Sequence, residues 1–330
     1  MTTSGPLPCA PSSARSAFRR LLALAAFAVA LISRTAMVSA AVPEETWLSA
    51  LEGDVRADIA EGKPVVVQVH VALCDSSMIH CGGGGRGDGD DLARNLYWAT
   101  SEGLVGWMNR PGSGWTPELR TSGAMIGEPE VLEIRAWSRT LPVPRSWSGP
   151  GMPATFVVHV VGFAWRGTAI DHALAAYLTD LFDNRPRLVT VRDSAEGRPV
   201  ALAAGGRARL VAWVGHNRLM DRAPDWAGLA RNPETKFRKG ALAIACYSAS
   251  YLRDKLSAPT RVPLLMTASL VMASSAAFEA GVMAFLQGGD LRAIRERGAA
   301  GYAEGQHRPP ASLRRAFTNP SDNRWHTNAL

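Results

Sequence analysis

Apolar residues gather along the chain in short, nearly unbroken runs at 64–73, 154–161, 208–214, 240–245 and 263–267. A strand with one wet face alternates apolar with polar residues. These runs leave no polar face, and so predict strands buried on both sides of a sheet. Stretches of helical length and pattern at 168–182, 274–286 and 291–302 lie between or after them. Strand and helix in alternation predict βαβ units and hence an α/β fold: a mostly parallel sheet with helices on both faces, in three layers. Two segments interrupt the pattern. Residues 81–91 are rich in Gly and Asp, and residues 139–153 in Pro, Ser and Gly. Both are predicted loops, the second dividing the domain into two halves.

The chain's beginning follows a different grammar. Arg15, Arg19 and Arg20 precede an apolar run at 21–32, and Val38-Ser39-Ala40 suits cleavage just before Ala41 or Val42, as in a secretory signal. The run is about twelve residues, short of the roughly 20 that span a bilayer, so no stable membrane anchor is expected after signal cleavage. Cys9 lies upstream of the run, where a lipoprotein's acylated cysteine does not sit. The expected organisation is a signal peptide at 1–41, a single α/β domain at 42–305 and a polar, Arg-rich C-terminal extension at 306–330 that wraps the surface. The expected location is periplasmic or secreted. At 47% hydrophobic and 20% charged residues the chain has ordinary globular composition. Its formal charge of +7 comes from scattered arginines without a basic block, which argues against nucleic acid as a partner.

In a sheet of this kind ligands gather at the carboxyl ends of the strands, so the residues directly after each apolar run carry the candidate chemistry. The third run leads into Gly215-His216-Asn217-Arg218-Leu219-Met220-Asp221, and the fourth into Cys246-Tyr247-Ser248-Ala249-Ser250. The thirty-residue separation of His216 and Cys246 fits one crossover between adjacent parallel strands, which brings both side chains to one edge. An ordinary thiol, with a pKa of about 8.5, is mostly protonated at neutral pH, and a neighbouring imidazole or helix N-terminus turns it into a nucleophile. Ser248 and Ser250 predict a helix opening right after Cys246. His216 and Cys246 are therefore the candidate catalytic dyad. His70, Asp75, Asn95 and Asn217 are candidate substrate-binding residues of the same polar cleft, because the first strand of such a sheet is often central.

After cleavage Cys74, Cys81 and Cys246 remain. The first two either close a short disulfide loop, which an oxidising compartment favours, or stay free, and Cys246 is the odd thiol, reactive or simply a small buried apolar residue. No metal and no cofactor is expected. Asp88, Asp90 and Asp91 sit among glycines as in a calcium loop, but position twelve, which needs an acid, falls at Ala99. His70, Cys74, His80 and Cys81 lack the spacing of a zinc knuckle, and Gly82-Gly-Gly-Gly-Arg-Gly87 lacks the Gly-Lys-Ser/Thr ending of a phosphate loop.

The order apolar strand, His216, apolar strand, Cys246 resembles that of the caspase-like cysteine peptidases, the group that includes caspases, gingipains and legumains. The resemblance implies a caspase-like three-layer sandwich, His216 as general base or acid, and Cys246 as nucleophile with backbone amides near Gly215 and Cys246 holding the oxyanion. In that group Gly follows the His, whereas here Gly215 precedes it and Asn217 follows. Separately, His70-Val-Ala-Leu-Cys-Asp75, Gly87-Asp-Gly-Asp-Asp91, Asn95-Leu-Tyr-Trp98, Gly215-His-Asn217, Ala245-Cys-Tyr-Ser248 and Pro263-Leu-Leu-Met-Thr267 resemble, in the same order, a family of uncharacterised exported bacterial proteins. That second resemblance covers most of the mature chain and implies a coherent fold but no activity. The expected function is an exported cysteine hydrolase of peptidase type acting on a peptide or small-molecule ligand. The alternative is a non-catalytic periplasmic binding protein of the same fold.

Overall fold

The run VVVQVHVA at Val65–Ala72 is buried along its whole length because it lies in the middle of an eight-stranded sheet. The computed structural model describes residues 43–192, 197–226, 228, 237–272 and 274–327; the expected signal peptide lies outside them. The strands are β1 (Val65–Ala72), β2 (Thr116–Thr121), β3 (Val131–Pro142), β4 (Thr155–Trp165), β5 (Pro186–Arg192), β6 (Pro199–Gly205), β7 (Leu210–Val214), β8 (Lys239–Ile244), β9 (Arg261–Thr267) and β10 (Phe317–Thr318). The main sheet runs β10-β9-β8-β7-β1-β4-β3-β2, and β5 and β6 form a separate hairpin. Strands β4, β1, β7, β8 and β9 are mutually parallel, and the two flanks, β10 on one side and β3 and β2 on the other, are antiparallel. The fold is α/β with a mostly parallel central sheet.

Successive side chains of a strand point to opposite faces, so an unbroken apolar run supplies two cores at once. Val65, Val67, Val69 and Val71 of β1 face one layer, made of α1 (Pro43–Ala60), α2 (Leu104–Met108) and the later helices α5 (Ser275–Leu286) and α6 (Leu291–Gly305). Leu51, Val55, Phe278, Phe285 and Ile294 fill that side. Val66 and Ala72 share the other layer with Phe163, Val211 and Ala241 beneath α3 (Ile170–Phe182), α4 (Ser248–Leu256) and the β5–β6 hairpin. The result is a three-layer sandwich. Within the first layer α5 and α6 approach closely at Gly301, where a Cβ would stand 2.5 Å from that of Ala280 and 2.6 Å from the carbonyl oxygen of Ala276. No helix among the described residues is long and apolar enough to cross a membrane.

Two boundaries differ from expectation. Strand β3 runs through Pro142, so the interrupting loop begins after it and not at Arg139. The C-terminal stretch is not merely a surface wrap. After α7 (Pro310–Leu313), Phe317 and Thr318 pair with Thr267 and Met266 at the edge of the sheet, Phe317 is fully buried, and Asn319 donates through Nδ2 to the Leu264 and Leu291 carbonyls at 2.8 and 2.6 Å. The described residues from Glu44 onward cluster as one compact unit.

Candidate active site

The chain lays β4 on one side of β1 and β7 on the other, so the direction of strand addition reverses at β1, the switch point where open α/β sheets place ligands. A cavity of about 500 Å³ opens there, at the carboxyl ends of β1, β7, β8 and β9. The pairing of β7 with β8 aligns Val214 with Ile244, and Gly215 continues the ladder by donating its N–H to the Ile244 carbonyl at 3.2 Å. His216 and Cys246 therefore leave the sheet at the same level, and both line the cavity.

Each is held from behind. The Asn217 side chain, buried, donates to the Cys246 carbonyl at 2.5 Å and accepts from the Leu219 N–H at 3.1 Å, so it ties the His216 loop to the Cys246 loop. Trp213 Nε1 donates to the His216 carbonyl at 3.1 Å. His216 Nε2 lies 2.7 Å from Asp221 Oδ2. A carboxylate only accepts, so Nε2 carries a hydrogen, and in the neutral ring the lone pair is on Nδ1. The neutral ring is thereby fixed in the tautomer a general base needs, by a residue five positions downstream on the same turn.

Cys246 sits on a sharp strand-to-helix turn. Tyr247, which follows it, has φ 50° and ψ 31°, left-handed geometry that costs a non-glycine residue on the order of 1 kcal/mol. The turn is over-determined by neighbours: Tyr247 N–H donates to the Ser269 carbonyl at 2.9 Å, Ser248 Oγ donates to the Ala243 carbonyl at 2.7 Å, and Thr267 N–H donates to Ser248 Oγ at 3.0 Å. The half-buried thiol donates to the Val271 carbonyl at 3.2 Å. Tyr97, on the cavity wall, has its phenol pushed well above the usual range, first by burial and then by the nearby Cys246 sulfur.

The wall after β1 is pinned by a Cys74–Cys81 disulfide and by Asn95, whose Nδ2 donates to the carbonyls of Cys74 and Asp88 and whose Oδ1 accepts from the N–H groups of Cys74 and Tyr97. All of Asn95's capacity is spent on the loop. It shapes the wall and cannot meet a substrate. Asp75 turns its Oδ1 to the Ser77 N–H and hydroxyl at 2.8 and 2.7 Å, and does not line the cavity.

His70 is the clearest departure. Position 70 falls on the even face of β1, away from the cavity side of the strand exit, and its side chain is fully buried in the second layer. Trp165 Nε1, which can only donate, gives its hydrogen to His70 Nδ1 at 3.1 Å, so Nε2 bears the ring hydrogen and donates to Asp180 Oδ2 at 2.9 Å. Both nitrogens are satisfied. Burial lowers the pKa of this imidazole, against the pull of Asp180. Of the six residues singled out from the sequence, the cavity brings together His216 and Cys246, while His70, Asp75, Asn95 and Asn217 support the fold around it.

Three contributors escaped the sequence reading. Asp221 was visible in the motif, but an acid near a histidine is too common to single out. Tyr97 and the loop 270–272 reach the cavity through tertiary packing alone. The acidic loop places Asp91 on the N–H of Ala93 and on Arg94, Asp88 on the N–H of Asp90, and Asp90 on Arg166, so its carboxylates serve turns and ion pairs. Among the described residues no group of three or more His, Cys, Asp or Glu is placed to hold a metal ion. Comparison of the chain with protein-family models, curated proteins and solved structures finds no match in any of the three.

Proposed function

We propose that the protein is an exported cysteine hydrolase of peptidase type, with Cys246 as nucleophile, His216 as general base and then acid, and Asp221 as the group that orients the imidazole. The observation that carries this reading is the shared level at which His216 and Cys246 leave adjacent parallel strands to line one cavity. A thiol, an imidazole with its Nδ1 lone pair unspent, and a carboxylate on the far nitrogen are the parts that nucleophilic catalysis requires. In the acylation step Cys246 Sγ loses its proton to His216 and bonds to the substrate carbonyl carbon. The proton then passes to the leaving group as the carbon–heteroatom bond breaks, and water releases the acyl group in a second step. The Cys74–Cys81 disulfide supports export to an oxidising compartment. In the resting arrangement hydrogen bonds at the active site are commonly long and tighten with substrate, so a thiol resting on the Val271 carbonyl is compatible with catalysis.

That same bond favours a second reading, a binding protein in which Cys246 is inert. Alkylation decides between them. Iodoacetamide is expected to label Cys246 of the folded protein at neutral pH, and His216→Ala to slow that labelling by at least tenfold. Labelling that appears only on unfolding, or that ignores His216, overturns the hydrolase.

A further inference from the structure

The cavity beside Cys246 has a chemistry more selective than its catalytic pair. Its rim carries three large apolar side chains held out toward solvent, Leu270 (66% exposed), Met272 (46%) and Met220 (42%), and Ile79, Leu96 and Val271 continue this surface inward. Exposed apolar groups gathered around a concave site mark a place where apolar surface is covered by a partner, since scattered singly they cost nothing to explain but clustered they lose burial. The two methionines are unbranched and adapt to the shape of what they cover.

The charges are one-sided. No Asp or Glu lines the cavity, while Arg86 does, with its side chain exposed and, among the described residues, without an ion pair. Of the carboxylates closest to Arg86 in sequence, Asp88 accepts from the Asp90 N–H, Asp90 pairs with Arg166 and Asp91 with Arg94. Asp221, the acid nearest to the dyad, is taken by His216 and Arg218. A guanidinium fork facing an apolar cleft without an acid of its own is matched by a carboxylate supplied from outside.

We infer that the cleft takes a peptide segment with bulky apolar side chains flanked by a carboxylate, and that it disfavours cationic segments. This deepens the hydrolase reading by naming its substrate class, but the test below reads binding alone and so stands or falls separately from the chemistry.

Calorimetric titration of the full chain carrying Cys246→Ser, which binds without turnover, would use succinyl-Leu-Leu amide, acetyl-Leu-Leu amide and acetyl-Lys-Lys amide. Succinyl-Leu-Leu amide is expected to bind at least tenfold more tightly than the lysine peptide and several-fold more tightly than the acetyl-leucine peptide. Arg86→Glu, a surface change, should erase the advantage of the succinyl group, and Leu270→Ser with Met272→Ser should weaken both leucine peptides together. Equal or tighter binding of the lysine peptide, a succinyl advantage that survives Arg86→Glu, or no binding of any of the three overturns the inference. Iodoacetamide labelling of the unmodified chain reports independently on the dyad, so loss of the substrate class and loss of the hydrolase reading give different patterns.

Discussion

Two histidines in this molecule each lie within 3 Å of an aspartate oxygen, and they are built for opposite purposes. His70 pairs with Asp180 at 2.9 Å inside the second layer, and its remaining nitrogen is closed by Trp165. Around it Arg187 reaches Asp180 at 3.3 Å and Glu128 at closer range, and Lys239 donates to the carbonyls of Asp180, Leu181 and Asp183 at the end of α3. His216 pairs with Asp221 at 2.7 Å at the cavity's edge, on an acid still 43% exposed, with one nitrogen unspent. A histidine whose two nitrogens are both satisfied stabilises structure. One with a nitrogen left over can move a proton.

That contrast can be broken from both sides, and the largest effect is expected at the open pair. His216→Ala should slow alkylation of Cys246 by at least tenfold, and lower any hydrolysis that follows from it by about 10²–10⁴-fold, the span that general acid–base catalysis commands, while the thermal midpoint changes little. The reciprocal change is His70→Leu. It leaves the Trp165 N–H buried without a partner and the Asp180 carboxylate with Arg187 alone, which should cost about 2–3 kcal/mol in denaturant unfolding and leave the rate of Cys246 labelling in the folded protein within a factor of about two. If His70→Leu slowed labelling as much as His216→Ala while the fold held, the two pairs would not be separate devices.

The closed cluster also has a signature in pH. Burial pushes the ammonium of Lys239 down to about 8 from an ordinary 10.5, so between those values the unfolded chain holds a proton that the folded chain has released. Stability is therefore expected to rise as pH increases through that window, by an amount on the order of 2–3 kcal/mol, and Lys239→Met should flatten the rise. His70 acts at the other end with the same sign. Its pKa is lowered by burial, so the unfolded chain gains a proton first as pH falls below about 6.5, and stability present above that value is lost below it. Urea midpoints measured from pH 5 to 10 check both limbs, and a profile that falls between pH 8 and 10 would contradict the burial of Lys239 as an ammonium.

What could be read from the sequence follows from the same difference between open and closed surroundings. The five buried strands of the parallel core announce themselves because both faces are apolar, and α3, α5 and α6 because they lie between or after them. Strand β3 does not, since its sequence VLEIRAWSRTLP carries Glu133, Arg135 and Arg139. Buried Glu133 is paired with Arg135 of its own strand and is bonded by Trp98 and Arg120, partners supplied from 35 and 13 residues away. β10 is two residues long and takes its identity from β9 alone. For the cavity, the strand-exit rule located His216 and Cys246, whose positions depend on local register. It misplaced His70, because which face of β1 an even residue occupies is decided by the layers packed on it and not by the run of apolar letters.

The smallest expected effect bears on what separates a positioned imidazole from a free one. Asp221→Asn keeps the shape of the side chain and its reach to His216, but an amide can present either its oxygen or its N–H to Nε2. With the oxygen facing, the Nε2–H tautomer survives and only the charge that stabilises an imidazolium is lost. With the N–H facing, the ring hydrogen moves to Nδ1 and the lone pair to Nε2. Arg218 Nη1 lies 3.4 Å from Oδ2, the same oxygen that faces His216 Nε2, so it favours the amide oxygen in that place and with it the Nε2–H tautomer. Asp221→Asn is therefore expected to slow labelling of Cys246 only a few-fold, less than His216→Ala, and Arg218→Leu placed on top of Asp221→Asn should slow it further by removing the cation that holds the amide oxygen toward Nε2. Rates for the single and double variants at neutral pH make the comparison, and a double variant no slower than Asp221→Asn alone would show that Asp221 acts on the cavity through its charge and not through the tautomer it imposes.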